Sequence, residues 1–112
     1  MKNKYGNKKI EYNGMVFDSK REFARYKELE LLERAGKIRH LQRQVKYQLL
    51  PSMRDPDTKK VIERPIFYIA DFTYVNEKGK FIVEDVKGYK TADYLLKRKM
   101  MLFFHGIRIK ET

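Results

Sequence analysis

The chain contains no cysteine, which excludes disulfides and thiolate-rich zinc sites together. Histidine is scarce as well. His40 and His105 are too few for a histidine-based metal centre, so any bound metal would be held by oxygen, as magnesium and manganese are. No apolar run approaches the ~20 residues needed to span a bilayer, and the basic N-terminal residues are not followed by the apolar stretch of a signal peptide. Acidic residues are outnumbered, 15 against 26 lysines and arginines, which leaves a formal net charge of +11. A small protein with that field attracts polyanions, nucleic acid first among them. An anionic membrane surface fits less well, because no helical segment combines a cationic face with a clean apolar one. The plainer alternative is a basic protein whose charge serves solubility, or an RNA binder of ribosomal type.

At 112 residues with 42% apolar content, the chain is expected to form one domain around a single core. Residues 1–9 are polar, basic and without periodicity, and read as a flexible arm that carries Lys8 and Lys9 toward a polyanion. Residues 10–112 read as the folded domain. Asn13-Gly14 is a strong turn dipeptide within a short hairpin from Ile10 to Phe17. Ser19 followed by Glu22 fits a capping box. With apolar residues at Phe23, Tyr26, Leu29 and Leu32 and a stop at Gly36, the pattern predicts a helix over about residues 20–35. Alternation from Ile38 to Leu50 predicts a strand ending at Pro51, and residues 52–60 read as a mobile surface loop. Thr91 caps a second predicted helix running to His105, with Gly106 as its stop and with Tyr94, Phe103 and Phe104 as core residues. Ile107 to Lys110 alternate as a final short strand.

The most informative feature lies between the two helices. Ile66 to Val75 and Lys80 to Lys87 are rich in β-branched and aromatic residues, and Asn76-Glu77-Lys78-Gly79 supplies turn chemistry, so the pair reads as a β-hairpin. If Glu77, Lys78 and Gly79 form a three-residue loop with Gly79 in the left-handed conformation, Asn76 pairs with Lys80. Counting back along both strands then sets Asp71 opposite Asp85. Alternation puts Lys87 on the face of Asp85 and Glu84 on the other. Two carboxylates directly opposite one another on a sheet repel unless something positive sits between them, and a divalent cation is the obvious candidate.

Tyr-Ile-Ala-Asp71-Phe, then Glu84-Asp85-Val86-Lys87-Gly88 at the end of the following strand, in the order helix, three strands, helix, strand, resembles the PD-(D/E)XK nuclease superfamily. More narrowly, these segments and the Ser-Lys-Arg-Glu22-Phe start of the first helix resemble short phage and prophage proteins of that superfamily akin to Holliday-junction resolvases. The likeness runs from about residue 10 to the end, with Ala70 where the superfamily's motif has proline. It implies an α/β fold with an αβββαβ core and a mixed central sheet flanked by helices. It further implies that Asp71, Asp85 and the backbone carbonyl of Val86 hold Mg2+, with Mn2+ as a substitute. Glu22 would assist through water or a second ion, and Lys87 would stabilise charge at the phosphate. Gln44, in the first strand, is a further polar candidate. Lys90, Lys97 and Lys99, with Arg98 among them, would contact DNA phosphates.

The expected function is therefore a metal-dependent DNA endonuclease, selective for branched DNA and acting as a homodimer in the cytoplasm of a bacterial host. The short chain leaves little room for a base-reading module. Two alternatives stand beside it: a non-catalytic basic nucleic-acid-binding protein, and a nicking or restriction-like nuclease that prefers a sequence.

Overall fold

The structure is a computed structural model that describes residues 8–112. The expected arm at 1–9 therefore falls mostly outside the described residues, and Lys8 and Lys9 are exposed. The chain divides into two compact units, one running up to Leu41 and including Tyr74–Phe81, the other formed by Gln42–Thr73 and Ile82–Thr112.

In the first unit, β1 (Ile10–Tyr12) pairs antiparallel with β2 (Met15–Phe17). The two-residue turn works because Asn13 and Gly14 both take positive φ, 49° and 78°. Helix α1 (Lys20–Arg34) follows, and the Ser19 hydroxyl accepts the Glu22 N–H at 3.1 Å, as the capping pattern predicts. Its inner face carries Phe23, Tyr26 and the fully buried Leu29. Phe23 and Tyr26 meet Phe17 with ring centroids 5.3 and 5.1 Å apart, and Tyr12 completes the aromatic cluster. Leu32 stays exposed.

Strand β3 (Arg39–Leu50), which lies in the second unit from Gln42 on, alternates half-buried and exposed residues along most of its length and buries Leu49 next to its end. The expected loop at 52–60 is instead an exposed antiparallel ribbon of β4 (Met53–Arg54) and β5 (Val61–Glu63). Asp55 is the reason. Its carboxylate accepts the N–H groups of Asp57 and Thr58, and its backbone bonds Lys59 and Lys60, so proline and charge here punctuate a closed turn.

Strands β6 (Ile66–Val75) and β7 (Phe81–Asp85) are joined by the predicted hairpin turn. Gly79 adopts φ +78° and donates to the Asn76 carbonyl at 2.9 Å, while Asn76 N–H donates to Lys80 at 2.9 Å. This is the three-residue loop assumed in the register count, which runs from Asn76 opposite Lys80 to Asp71 opposite Asp85. Helix α2 (Ala92–His105) is capped by the Thr91 hydroxyl and closed by Gly106 at φ 65°. The chain then returns to β8 (Lys110–Glu111), which pairs parallel with β7, Glu84 with Lys110 and Asp85 with Glu111. This strand lies later than the alternation of Ile107 to Lys110 suggested. Ile107 and Ile109 pack into the core without a ladder partner, and pairing begins where the return meets β7.

The four-stranded sheet runs β3-β6-β7-β8, antiparallel at the hairpin and parallel at its β8 edge, so the fold is α/β with a mixed sheet. Tyr68, Ala70, Val83, Tyr94, Met101 and Ile109 form the main core cluster with Leu49. Phe103 and Phe104 are not part of it, being 81% and 50% exposed. At 3.6 residues per turn, Phe103 falls nearly opposite Met101, and it is Met101 that the sheet covers.

Candidate active site

Strand β7 ends with two consecutive buried acids, Glu84 at 0% and Asp85 at 2% exposure, so the sheet is covered on both faces at this point. Their environments differ. The Glu84 carboxylate accepts the Thr112 hydroxyl at 3.1 Å, whereas Asp85 Oδ2 is buried without a hydrogen bond. The Lys87 ammonium lies 3.0 Å from that oxygen, a charge contact outside hydrogen-bonding geometry. Lys87 is fixed from beneath as well, its Nζ resting 4.2 Å above the Tyr94 ring.

The end of β8 grips the backbone on either side of Val86. Thr112 N–H donates to the Asp85 carbonyl and Lys87 N–H donates to the Thr112 carbonyl, both at 3.0 Å. Backbone groups alternate in an extended chain, so those of Val86 face away from β8. Its N–H donates at 2.9 Å to Asp71 Oδ2, which brings the Asp71 carboxylate to the peptide group that follows Asp85. By the same alternation the Val86 carbonyl faces the Asp71 side.

The Tyr68 phenol feels both carboxylates. Burial pushes its ionisation far above the ordinary range, and the charges of Asp85, the neighbouring Tyr94 and Asp71 push it further. Both acids therefore act on the same hydroxyl. That hydroxyl is buried without a partner of hydrogen-bonding geometry, although Asp85 is close enough to act on it as an acceptor. Tyr94 is raised too, by burial and then by donation to Glu111 Oε2 at 2.8 Å. Glu111 also receives Arg98 at 3.2 Å and Lys90 at 3.3 Å. Burial alone would raise this glutamate. The hydrogen bond from Tyr94 and the charges of Lys90 and Arg98 outweigh burial and hold it below its usual range.

Asp71, Asp85, Val86 and Lys87 are thus brought together as the sequence suggests. Glu22 belongs to the first unit, where it is 5% exposed and its N–H bonds the Ser19 cap. Among the described residues, no three carboxylate or imidazole side chains converge as a metal-ligand set. Of the lysines assigned to phosphate contacts, Lys90 pairs with Glu111 and Lys97 with Asp93 at 3.4 Å, while Lys99 is exposed. Gln44 is exposed on β3 with φ 52°. Sequence reading missed Tyr68 and Glu111. Tyr68 looks like any strand aromatic, and Glu111 stands just past the predicted end of the last strand.

The two carboxylates, of which Asp85 has a buried oxygen without a donor, and the Val86 carbonyl are hard oxygens, the donor type that a divalent cation such as Mg2+ or Mn2+ takes. Among the described residues, no helix is long and apolar enough to cross a membrane. The family described as "Protein of unknown function (DUF1064)" matches residues 2–110. No curated protein and no solved structure matches the chain.

Proposed function

We propose that this chain, which belongs to the DUF1064 family, is a metal-dependent DNA endonuclease with the PD-(D/E)XK core that its strand ends resemble. The observation that carries the reading is Asp85, a buried carboxylate with an oxygen that lacks a hydrogen-bond donor. Lys87 lies 3.0 Å from that oxygen, and the Val86 N–H next to it holds Asp71. An ordinary strand end exposes its carboxylates to water. Burying Asp85 beside the half-buried Asp71 has a cost that a bound cation removes.

Asp71, Asp85 and the Val86 carbonyl would hold the ion, which when bound polarises a phosphodiester and eases ionisation of a water. Hydrolysis adds the water oxygen to phosphorus, breaks one P–O bond and leaves the water's proton with the departing alkoxide. Lys87 offers its ammonium to the charge that builds on the phosphoryl oxygens. Tyr94 supports this role, because its ring holds the ammonium at 4.2 Å while Glu111 and Lys90 anchor the segment beyond it. The preference for branched DNA, the paired sites of a homodimer and the bacterial cytoplasm as setting follow from the likeness to resolvase-like phage proteins.

The test is incubation of the protein with four-way junction, flap, single-stranded and linear duplex DNA, in magnesium, in manganese and in chelator. Cutting in metal, strongest on the branched substrates and absent in chelator, is the expected result. DNA retained but uncut in both metals on every substrate would make the chain a binding protein instead.

A further inference from the structure

We propose that the cleft between α2 and the return segment 106–111 is a second DNA-backbone subsite, which seats a nucleotide beside the one at the cut. The inference rests on the nucleic-acid side of the function proposed above. The cleft has a volume of about 390 Å3. Its rim carries Arg98, Lys99 and Arg108, and its floor is Leu102, Ile107 and Ile109.

Charge and shape both select the ligand. Three cations face one carboxylate, Glu111, and both oxygens of that carboxylate are already engaged by Tyr94, Arg98 and Lys90. Lys99 and Arg108 are exposed and make no ion pair among the described residues, so two cations remain to meet phosphates. A bare phosphate ion would gain nothing from the apolar floor. A nucleotide would, laying its sugar or base on Leu102 and Ile107 while its phosphates reach the rim. The cleft also adjoins the candidate active site through a continuous set of contacts. Lys87 rests on the Tyr94 ring, Tyr94 bonds Glu111, and Glu111 bonds Arg98 on the cleft rim at 3.2 Å. A strand whose phosphate is placed at Lys87 would run onward past Lys90 into this cleft.

The experiment measures binding of labelled duplex and four-way junction DNA by fluorescence anisotropy in chelator, across a salt series, with the full chain. Lys99→Ala/Arg108→Ala is compared with Lys60→Ala/Arg64→Ala, which removes the same two charges from exposed positions on and beside the β4–β5 ribbon. The cleft pair is expected to weaken binding at least about tenfold and to lower the slope of log affinity against log salt by about 1.8, the value for two lost phosphate contacts. The ribbon pair should change both much less. Leu102→Ala should lower affinity several-fold with the slope unchanged, because it removes floor and not charge. Equal weakening by the two double variants, or parental binding by Leu102→Ala, would overturn the subsite. Because chelator is present throughout, the outcome is independent of cutting. A parent that never cuts in magnesium would end the nuclease reading and leave the cleft result standing.

Discussion

Asp85 is costly to the fold, and in the proposed function that cost is what a bound cation would relieve. Its Oδ2 is buried beside an ammonium but accepts no hydrogen bond, an arrangement that a divalent cation would complete. Adding magnesium at ten times its dissociation constant should therefore stabilise the parent by about 1.4 kcal/mol in chemical denaturation. Asp85→Asn and Asp71→Asn should each lose that gain along with all cutting, while still binding DNA. A full magnesium response in either variant would dissociate the acids from the metal. Lys87→Ala is expected to slow single-turnover cleavage by about two to three orders of magnitude with little change in DNA binding. The parent's rate in that variant would return Lys87 to the role of a surface cation.

Tyr68 gives a pH test of the same site. Its ionisation is raised in the fold, by burial first and by the carboxylates after it, so above about pH 10 the unfolded chain releases this proton before the folded one does. The associated stability is complete below that pH and is lost as pH rises through the folded value. Tyr68→Phe removes this dependence. In urea denaturation it should gain on the parent by up to about 1.4 kcal/mol for each pH unit above 10. At neutral pH the two should be close, because the phenol has no well-formed hydrogen bond to lose. A constant difference from pH 8 to 11 would mean that the phenol ionises normally.

At the scale of elements, the site is made by the middle of β6, the ends of β7 and β8 and the start of α2. The hairpin turn at Asn76 to Lys80 sets the register of β6 on β7, β8 fixes the backbone on both sides of Val86, and α2 begins soon after with the Thr91 cap. Tyr94 is only three residues past that cap, and its N–H is the one the Thr91 hydroxyl accepts. Thr91→Ala should therefore cost about 1 kcal/mol of stability. It should also slow cleavage, since fraying of the first turn moves the ring beneath Lys87. Thr91→Ser, which keeps the hydroxyl, should restore both, and a stability loss with unchanged rate would uncouple the cap from the site.

The whole molecule carries a formal charge of +11, and three segments hold a clear basic excess: the N-terminal residues, β3 with Arg39, Arg43 and Lys46, and the α2 face with Lys97, Arg98 and Lys99 against Asp93. Binding dominated by phosphate contacts should fall linearly in log salt. Removal of residues 1–9 should lower that slope by the number of contacts Lys8, Lys9 and their neighbours make. An unchanged slope would show that they make none.

Local chemistry was enough to determine much of this from the sequence alone. Turn residues, caps and periodicity placed α1, β3, the central hairpin and α2, and the glycine of the turn determined the register that brings Asp71 toward Asp85. These signals are legible because each acts within a few residues of itself. What only the tertiary structure decided lies at long range. Phe103 and Phe104 face outward, Thr112 grips the strand exit, and Glu111 gathers Tyr94, Lys90 and Arg98. None of these has a periodic or motif signature. Each depends on which surface the fold lays against the residue, and that is settled by packing rather than by neighbours in the chain.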